Sequence, residues 1–340
     1  MLKIVGDINF TDGFFDTEFG VGSSLRFGND PFKCIERFST DFWIGNLECV
    51  CANISNKHGL GKKQFIISPN YLQHIKHLNL YGVANNHVMQ HGDRAYNEML
   101  TYLKDNNVNY VGSTECKSII FEHQGKKVGI LAFSFRPDNF SLKPLYWNLP
   151  EIREIVVEIE KLSECDFKIA YIHWGNEFIN YPYNDQKIFA HCLIDQGIDL
   201  IVGMHPHILQ GYEVYRGKYI FYSLGNFVFN MAWEPTKYSV VLNVDLQTSP
   251  LISYEYIHIE KDYFPRYIEK AQVPSYLRFD KLNSLIAHNE ENEIYYSHVF
   301  AKMNEYRKAN YRDIASNVFR FKLWDIQMIL KDFIKRKLRK

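Results

Sequence analysis

No run in this 340-residue chain reaches the roughly 18 consecutive apolar residues that a membrane-spanning helix needs. The opening "MLKIVGDINF" offers only Leu2–Val5 as an apolar stretch. That is too short for the core of a secretory leader, so none is expected and the expected compartment is the cytoplasm. Charge of either sign is not in excess: 39 Lys and Arg balance 39 Asp and Glu, so the chain as a whole is no polyanion binder and no nucleic-acid partner is expected. The six cysteines form no C-x-x-C pair and read as free thiols, in keeping with a reducing compartment. There is no G-x-S-x-G elbow, no Walker A loop and no Rossmann glycine pattern, which leaves serine hydrolysis and nucleotide-cofactor chemistry without support. Internal repeats and low-complexity segments are missing too.

What is present is alternation. Short apolar runs at Leu2–Val5, Phe42–Asn46, Leu80–Ala84, Val108–Val111, Ser118–His123, Lys127–Phe133, Phe167–His173, Leu200–Gly203, Tyr219–Tyr222 and Ser239–Val244 predict strands. Helical patterns are expected near Pro31–Phe38, Pro69–Leu78, Asp93–Asn106, Leu149–Leu162 and Asp185–Gln196. Gly125-Lys126 between two strands suits a hairpin turn. This is an α/β pattern with a largely parallel or mixed sheet. Beyond about residue 270 the strands stop, and residues 271–340 read as a helical, Tyr-rich C-terminal extension to a domain spanning 1–270.

In open α/β sheets, ligands gather beyond the carboxyl ends of the strands. Five such ends here deliver only carboxylates, carboxamides and imidazoles: Asp7 and Asn9; Asn46 and Glu48; Asn85, Asn86 and His87; His173; and His205 and His207 around Pro206. These are nitrogen and oxygen ligands for a borderline or hard divalent metal, namely Mn, Fe or Zn. Each piece alone is a common turn, cap or hydrogen-bonded residue; the conjunction at one sheet edge carries the signal. Pro206 restricts the backbone at Met204-His205 and would hold both flanking rings in one pose.

The constellation resembles the bacterial CapA family of poly-gamma-glutamate and capsule biosynthesis proteins, whose fold is similar to that of calcineurin-like metallophosphoesterases. The resemblance rests on "GDINF", "GNLE", "ANNH", "HWGNEF" and "GMHPHILQGYEVYRGKYIFYSLGNFVF", and covers roughly residues 1–250. It implies a four-layer α-β-β-α sandwich with the site at one edge, and a role in making or exporting an extracellular polymer. It also implies one or two metal ions, with Asp7 as the first aspartate, Glu48 as the second and bridging carboxylate, Asn86 as the metal-binding asparagine, and His173, His205 and His207 as ligand histidines. His87 would protonate the leaving group, so His87 and Asp7 are the expected catalytic residues. Three positions depart from the phosphoesterase and capsule patterns: Asn9 stands where a histidine is usual, Glu48 where an aspartate is, and Gln90 where an aspartate often follows the Asn-Asn-His.

Asn9, Asn85 and Glu177 are expected to face substrate, and Glu177, Asp195 and Asp199 are candidates to fix an imidazole tautomer. Ser223 and Asn226, in Ser223-Leu224-Gly225-Asn226, read either as substrate contacts or as a tight turn with Gly225 at positive φ. The expected activity is metal-assisted hydrolysis of a phosphoester on a polymer precursor or lipid-linked intermediate. A non-catalytic subunit gripping an anionic polymer, and a metal-dependent amide hydrolase, remain as alternatives. The end of the chain, "LWDIQMILKDFIKRKLRK", combines an apolar stripe with eight Lys or Arg against two Asp from Arg320 to Lys340. It reads either as a docked helix with a solvated basic end or as peripheral contact with an anionic membrane face.

Overall fold

The computed structural model describes residues 1–13, 18–247, 251–287 and 290–338. Two mixed sheets stack face to face. The larger has the order β16 (Pro265–Tyr267), β15 (Leu251–Ile259), β14 (Tyr238–Asp245), β1 (Leu2–Ile8), β2 (Phe42–Leu47), β5 (Leu80–Gly82) and β6 (Asn109–Val111), with β13 (Asn226–Val228) pairing against β1. The second has the order β11 (Leu209–Tyr215), β12 (Lys218–Leu224), β10 (Leu200–Met204), β9 (Phe167–His173), β8 (Lys126–Ser134) and β7 (Ser118–His123). A short pair, β3 (Val50–Cys51) and β4 (Ile66–Ile67), stands apart.

Strand alternation explains the layers. Leu2 and Ile4 of β1, Ile44, Leu80, Val240 and Leu242 face Val128, Ile130, Ile169, Tyr171, Leu200 and Val202 across the inter-sheet core. Their neighbours Val5, Trp43, Tyr81 and Val241 point outward, against Val21 and Leu25 of α1 (Val21–Arg26) and Tyr96, Met99 and Leu103 of α2 (Asp93–Asp105). On the opposite side, Leu131, Phe133, Ala170, Ile172 and Ile201 meet α3 (Ile152–Lys161) and α4 (Asn184–Asp195) through Ile155, Ile159, Ala190 and Leu193. Strands buried on both faces read as the continuous apolar runs seen in the sequence. This is the four-layer α-β-β-α sandwich that the resemblance implies.

Local chemistry accounts for several details. Gln124 (φ 52°) and Gly125 (φ 72°) turn β7 into β8, one residue earlier than expected. A capping box of Glu151 and Glu154 starts α3. Pro31–Phe38 forms no helix, because the Asp30 carboxylate accepts the Phe32 N–H (2.9 Å) in a local turn. Pro69–Leu78 shortens to a single 3-10 turn at Pro69–Tyr71.

After β16 the chain is helical: α5 (Phe279–Ile286), α6 (Asn292–Ser316) and α7 (Leu323–Leu338). Val273, Leu277, Phe279 and Leu282 enter the inter-sheet core, so this stretch is fastened to the sandwich. Among the described residues, no helix is long and apolar enough to cross a membrane.

Candidate metal centre

The parallel strands of both sheets deliver their carboxyl ends to one edge. β1 lies between β2 and β13, in a register that places Asp7 opposite both Asn46 and Asn226. This approach requires glycine at the preceding residue: a Cβ on Gly6 would sit 1.8 Å from the Gly225 carbonyl oxygen. The Asp7 N–H donates to that same oxygen at 3.1 Å. In the second sheet, His173 pairs with Met204, bringing the two histidine-bearing ends side by side.

The 205–207 loop carries backbone strain. His205 (φ 97°) and His207 (φ 59°) both adopt left-handed conformations, which cost about 1–3 kcal/mol each for residues other than glycine. Tertiary bonds hold them there. The His205 N–H donates to Asp7 Oδ2 (3.1 Å), the Phe178 N–H to the Pro206 carbonyl (2.9 Å), and the Ser223 hydroxyl to the Ile208 carbonyl (2.8 Å). Pro206 does not set the pose, since a following proline favours extended backbone at negative φ and His205 stands at φ 97°.

Asp7, Glu48, His173, His205 and His207 are all at most 2% exposed. Three groups each bring ligand atoms within 4.8 Å of one another: Glu48 with His173 and His205, Asp7 with Glu48 and His207, and Glu177 with His205 and His207. Glu48 belongs to two of them. Its Oε1 lies 3.8 Å from His207 Nε2, 3.9 Å from His173 Nε2 and 3.8 Å from His87 Nε2. Asn86 joins through its side-chain oxygen, 2.9 Å from His173 Nε2.

The electrostatics of this cluster are lopsided. Burial pushes His205 well below the ordinary histidine range, and neighbouring His173 and Arg136 add to it. Burial likewise lowers His173 to about 3, although Asp7 pulls the other way. Burial and the adjacent Asp7 raise Glu48 well above the carboxylate range. Burial would raise Asp7 as well, but the hydrogen bond and charge of His207 outweigh it and hold Asp7 low. His207, opposed by burial, is raised by the same contact. Neutral imidazole lone pairs and two carboxylates therefore converge with too little positive charge among them.

The unpartnered atoms test whether a metal fits. Both Glu48 oxygens and both His205 ring nitrogens are buried without a hydrogen-bond partner. Leaving a buried polar group unpaired costs about 1–3 kcal/mol, and more for a charged one. A divalent cation would take up the lone pair of one His205 nitrogen and the Glu48 carboxylate, and would reverse the Glu48 shift. The donor set of imidazole, carboxylate and carboxamide suits Mn, Fe or Zn, and the residues present fit such an ion.

The other expected residues have different work. His87 stands at the rim, its side chain 14% exposed and its ring stacked on Phe65 at 4.0 Å. Its Nδ1 meets Gln90 Oε1 at 3.0 Å, so the departure at position 90 supplies the group that orients this ring. Burial lowers His87 to about 4, against the opposing hydrogen bond from Gln90. Glu177 lies beside His205 and His207, within ligand distance. Asn85 is fully buried: it donates to Asn46 Oδ1 (3.1 Å) and the Leu47 carbonyl (2.8 Å), and accepts from the His87 N–H. Asn9 accepts from both the N–H and the hydroxyl of Thr11 and is fully buried. Ser223, also fully buried, spends its hydroxyl on the Ile208 carbonyl and the Gly225 N–H. Asn226 holds His207 Nδ1 (3.0 Å) and donates to the Thr236 carbonyl (3.0 Å), with Gly225 at φ 76°. Asn85, Ser223 and Asn226 spend their polar atoms on neighbours inside the protein and act as scaffolding here, whereas Asn9 engages only its Oδ1 and leaves Nδ2 buried without a partner. Asp195 and Asp199 pair with Arg216 and Lys218 rather than with a site imidazole.

The sequence named one further residue without its role and missed another. Asn46 donates to Asp7 Oδ1 at 2.8 Å and lies 3.4 Å from His173 Nδ1. It was visible at a strand end beside Glu48, but its register opposite Asp7 was not. Arg136 follows the end of β8; its Nη1 donates to the Gly175 carbonyl (3.0 Å) and Asn176 Oδ1 (3.2 Å). The strand-end rule applied to β8 would have found it.

Comparison with known proteins places the chain. It matches the bacterial capsule synthesis protein family PGA_cap over residues 2–231. It is 32% identical over 183 residues to the capsule biosynthesis protein CapA of Bacillus anthracis, covering 48% of this chain and 43% of that one. It is 33% identical over 187 residues to the PGA biosynthesis protein CapA of Bacillus subtilis, covering 52% and 49% respectively. The chain thus spans about half the length of the curated relatives it matches. Among solved structures it is similar to the 5'-nucleotidase of Candida albicans, with a TM-score of 0.47, 14% identity, and 90% of this chain and 58% of that one covered. With Asp7, Glu48, His173, His205 and His207 gathered at one sheet edge and the family match extending across both sheets, the chain belongs to the bacterial capsule synthesis protein family PGA_cap.

Proposed function

We propose that this chain is a divalent-metal-dependent hydrolase of the phosphoesterase type, acting in capsule or related extracellular polymer synthesis on an anionic precursor. One observation carries the reading: Glu48 and His205 present four buried polar atoms without partners to a cluster that also holds Asp7, His173 and His207. Asp7, Glu48, Asn86, His173, His205 and His207 would hold one or two ions, with Glu177 on the more open side. When bound, such an ion polarises a phosphoryl oxygen and makes water a nucleophile at neutral pH. Asn46 and the His205 N–H fix both Asp7 oxygens in place. Gln90 fixes Nδ1 of His87 as the proton-bearing nitrogen, leaving Nε2 as the atom that takes up a proton and passes it to a leaving oxygen. Arg136 is anchored through Nη1 alone; its Nε and Nη2 make no hydrogen bond with the described residues and would hold an anionic group. The six free cysteines suit a reducing, cytoplasmic setting.

A second reading has its own support. Tyr306 of α6 stacks on Phe178 at 4.1 Å, and Phe178 in turn lies 6.1 Å from the His207 ring, so the helical extension packs beside the cluster. A metal-loaded site flanked by that extension suits a subunit that grips an anionic polymer, such as poly-gamma-glutamate, without cleaving it. One experiment separates the readings. The full chain is loaded with Mn²⁺, assayed for metal content, and offered a generic phosphoester, a γ-glutamyl amide and the polymer. Phosphoester turnover lost on chelation supports the proposal. Turnover of the amide alone makes it an amidase. Metal-dependent polymer retention without turnover makes it a binding subunit, and failure to take up metal removes all three.

A further inference from the structure

The C-terminal helix α7 is docked on one face and bare on the other. Asp325 is 2% exposed and pairs with Lys63 at 2.7 Å; Lys322 pairs with Glu18; and Phe321 packs edge-on against Phe19 at 5.1 Å. Phe333 meets Tyr311 at 5.8 Å, and Ile326 and Ile329 are half-buried on the same side. The opposite face keeps its large apolar groups in solvent: Leu323 is 80% exposed, Leu330 54% and Ile334 55%, with Trp324 beside them at 63% and Phe319 just upstream at 81%. Leu323, Leu330 and Ile334 are spaced i, i+7 and i+11, which makes a single stripe on a helix. An exposed apolar stripe on an already docked helix marks an interaction surface rather than unfinished packing.

Charge identifies the occupant. Lys331 is exposed beside the stripe, whereas Arg320 and Lys322 are engaged on the docked side, over Phe19 and against Glu18. The sequence adds Lys335, Arg336 and Lys337 within α7, and Arg339 and Lys340 outside the described residues; from Arg320 to Lys340 the local charge is +6. A second copy of this chain would bring two such basic ends together and repel. An anionic lipid surface accepts both features at once, taking the apolar stripe below the headgroups and pairing the basic residues with them. We propose that α7 attaches the protein reversibly to anionic membrane surfaces through Phe319, Leu323, Trp324, Leu330 and Ile334. This attachment stands whether or not the metal centre turns over substrate.

The test is co-sedimentation of the full chain with vesicles of phosphatidylcholine containing about one-third phosphatidylglycerol, beside vesicles of phosphatidylcholine alone. Binding is expected to the anionic vesicles only and to weaken as salt rises. The L323S/L330S/I334S variant removes only exposed side chains and keeps its melting profile; its partitioning should fall at least about tenfold. The K331Q/K335Q/R336Q/K337Q variant should fall similarly at low salt. Equal binding to both vesicle types, no binding to either, or undiminished binding by the apolar variant would overturn the proposal. So would a dimer, seen by sedimentation, that the apolar variant converts to monomer, because the stripe would then belong to a second copy.

Discussion

Two buried carboxylates in this molecule are treated differently. Asp325, on α7, is buried against the sandwich and has Lys63 at 2.7 Å from Oδ1, with only Oδ2 left unpartnered. Glu48, at the end of β2, is buried more deeply and has no hydrogen bond at either oxygen, although three imidazoles surround it at 3.8–3.9 Å. The first is an ion pair that fixes a helix. The second is an acceptor held open at an energetic cost, and its neighbours His205 and His207 add strained backbone to that cost. A protein retains such an arrangement where an added ligand repays it. The contrast between the pinned tail and the open strand-end cluster can be broken or sharpened by mutation.

The largest effect should come from the strand ends. The H173A/H205A variant should lose metal stoichiometry and all measurable turnover while keeping its circular dichroism and cooperative melt. Retention of stoichiometric metal would place the ligands elsewhere. Next, His87→Ala should retain metal but lower turnover by about 10²–10⁴, least for substrates with good leaving groups. Loss of metal instead would make His87 a ligand. A smaller change should follow at Arg136: replacement by Lys is expected to raise KM for an anionic phosphoester about tenfold with kcat nearly unchanged. A fall confined to kcat would assign Arg136 to the chemistry rather than to substrate capture.

The smallest effects test the comparison itself, through opposite signs in the melting of metal-free protein. Glu48→Gln removes an unpartnered buried carboxyl and should be neutral or stabilising by about 1 kcal/mol. Asp325→Asn breaks the Lys63 pair and should destabilise by about 1–2 kcal/mol. With metal at about 100 times its Kd the wild type should gain about 2.7 kcal/mol and Glu48→Gln should not, reversing its rank. If Glu48→Gln destabilises the metal-free protein as much as Asp325→Asn does, the two carboxylates share a structural role and the contrast fails.

Much of this was legible in the chain alone, because it depends on local pattern. Apolar runs buried on both faces announce the strands, and the polar residues just beyond them announce Asp7, Glu48, Asn86, His87, His173, His205 and His207 at a common edge. Glu151 and Glu154 mark the start of α3 by a bond between neighbours in sequence. Tertiary structure decided everything that depends on which strands lie side by side. The register of β1 between β2 and β13 places Asn46 and Asn226 on either side of Asp7, so one orients the carboxylate and the other orients His207. The close approach at Gly6 and the left-handed backbone at His205 and His207 follow from contacts between residues almost 200 positions apart, such as His205 with Asp7. Arg136 reaches the site only because β8 lies next to β9. Sequence spacing shows which side chains stand at a strand end; only the packing of strands against one another determines which of them meet, which are spent on each other, and which are left with an open valence.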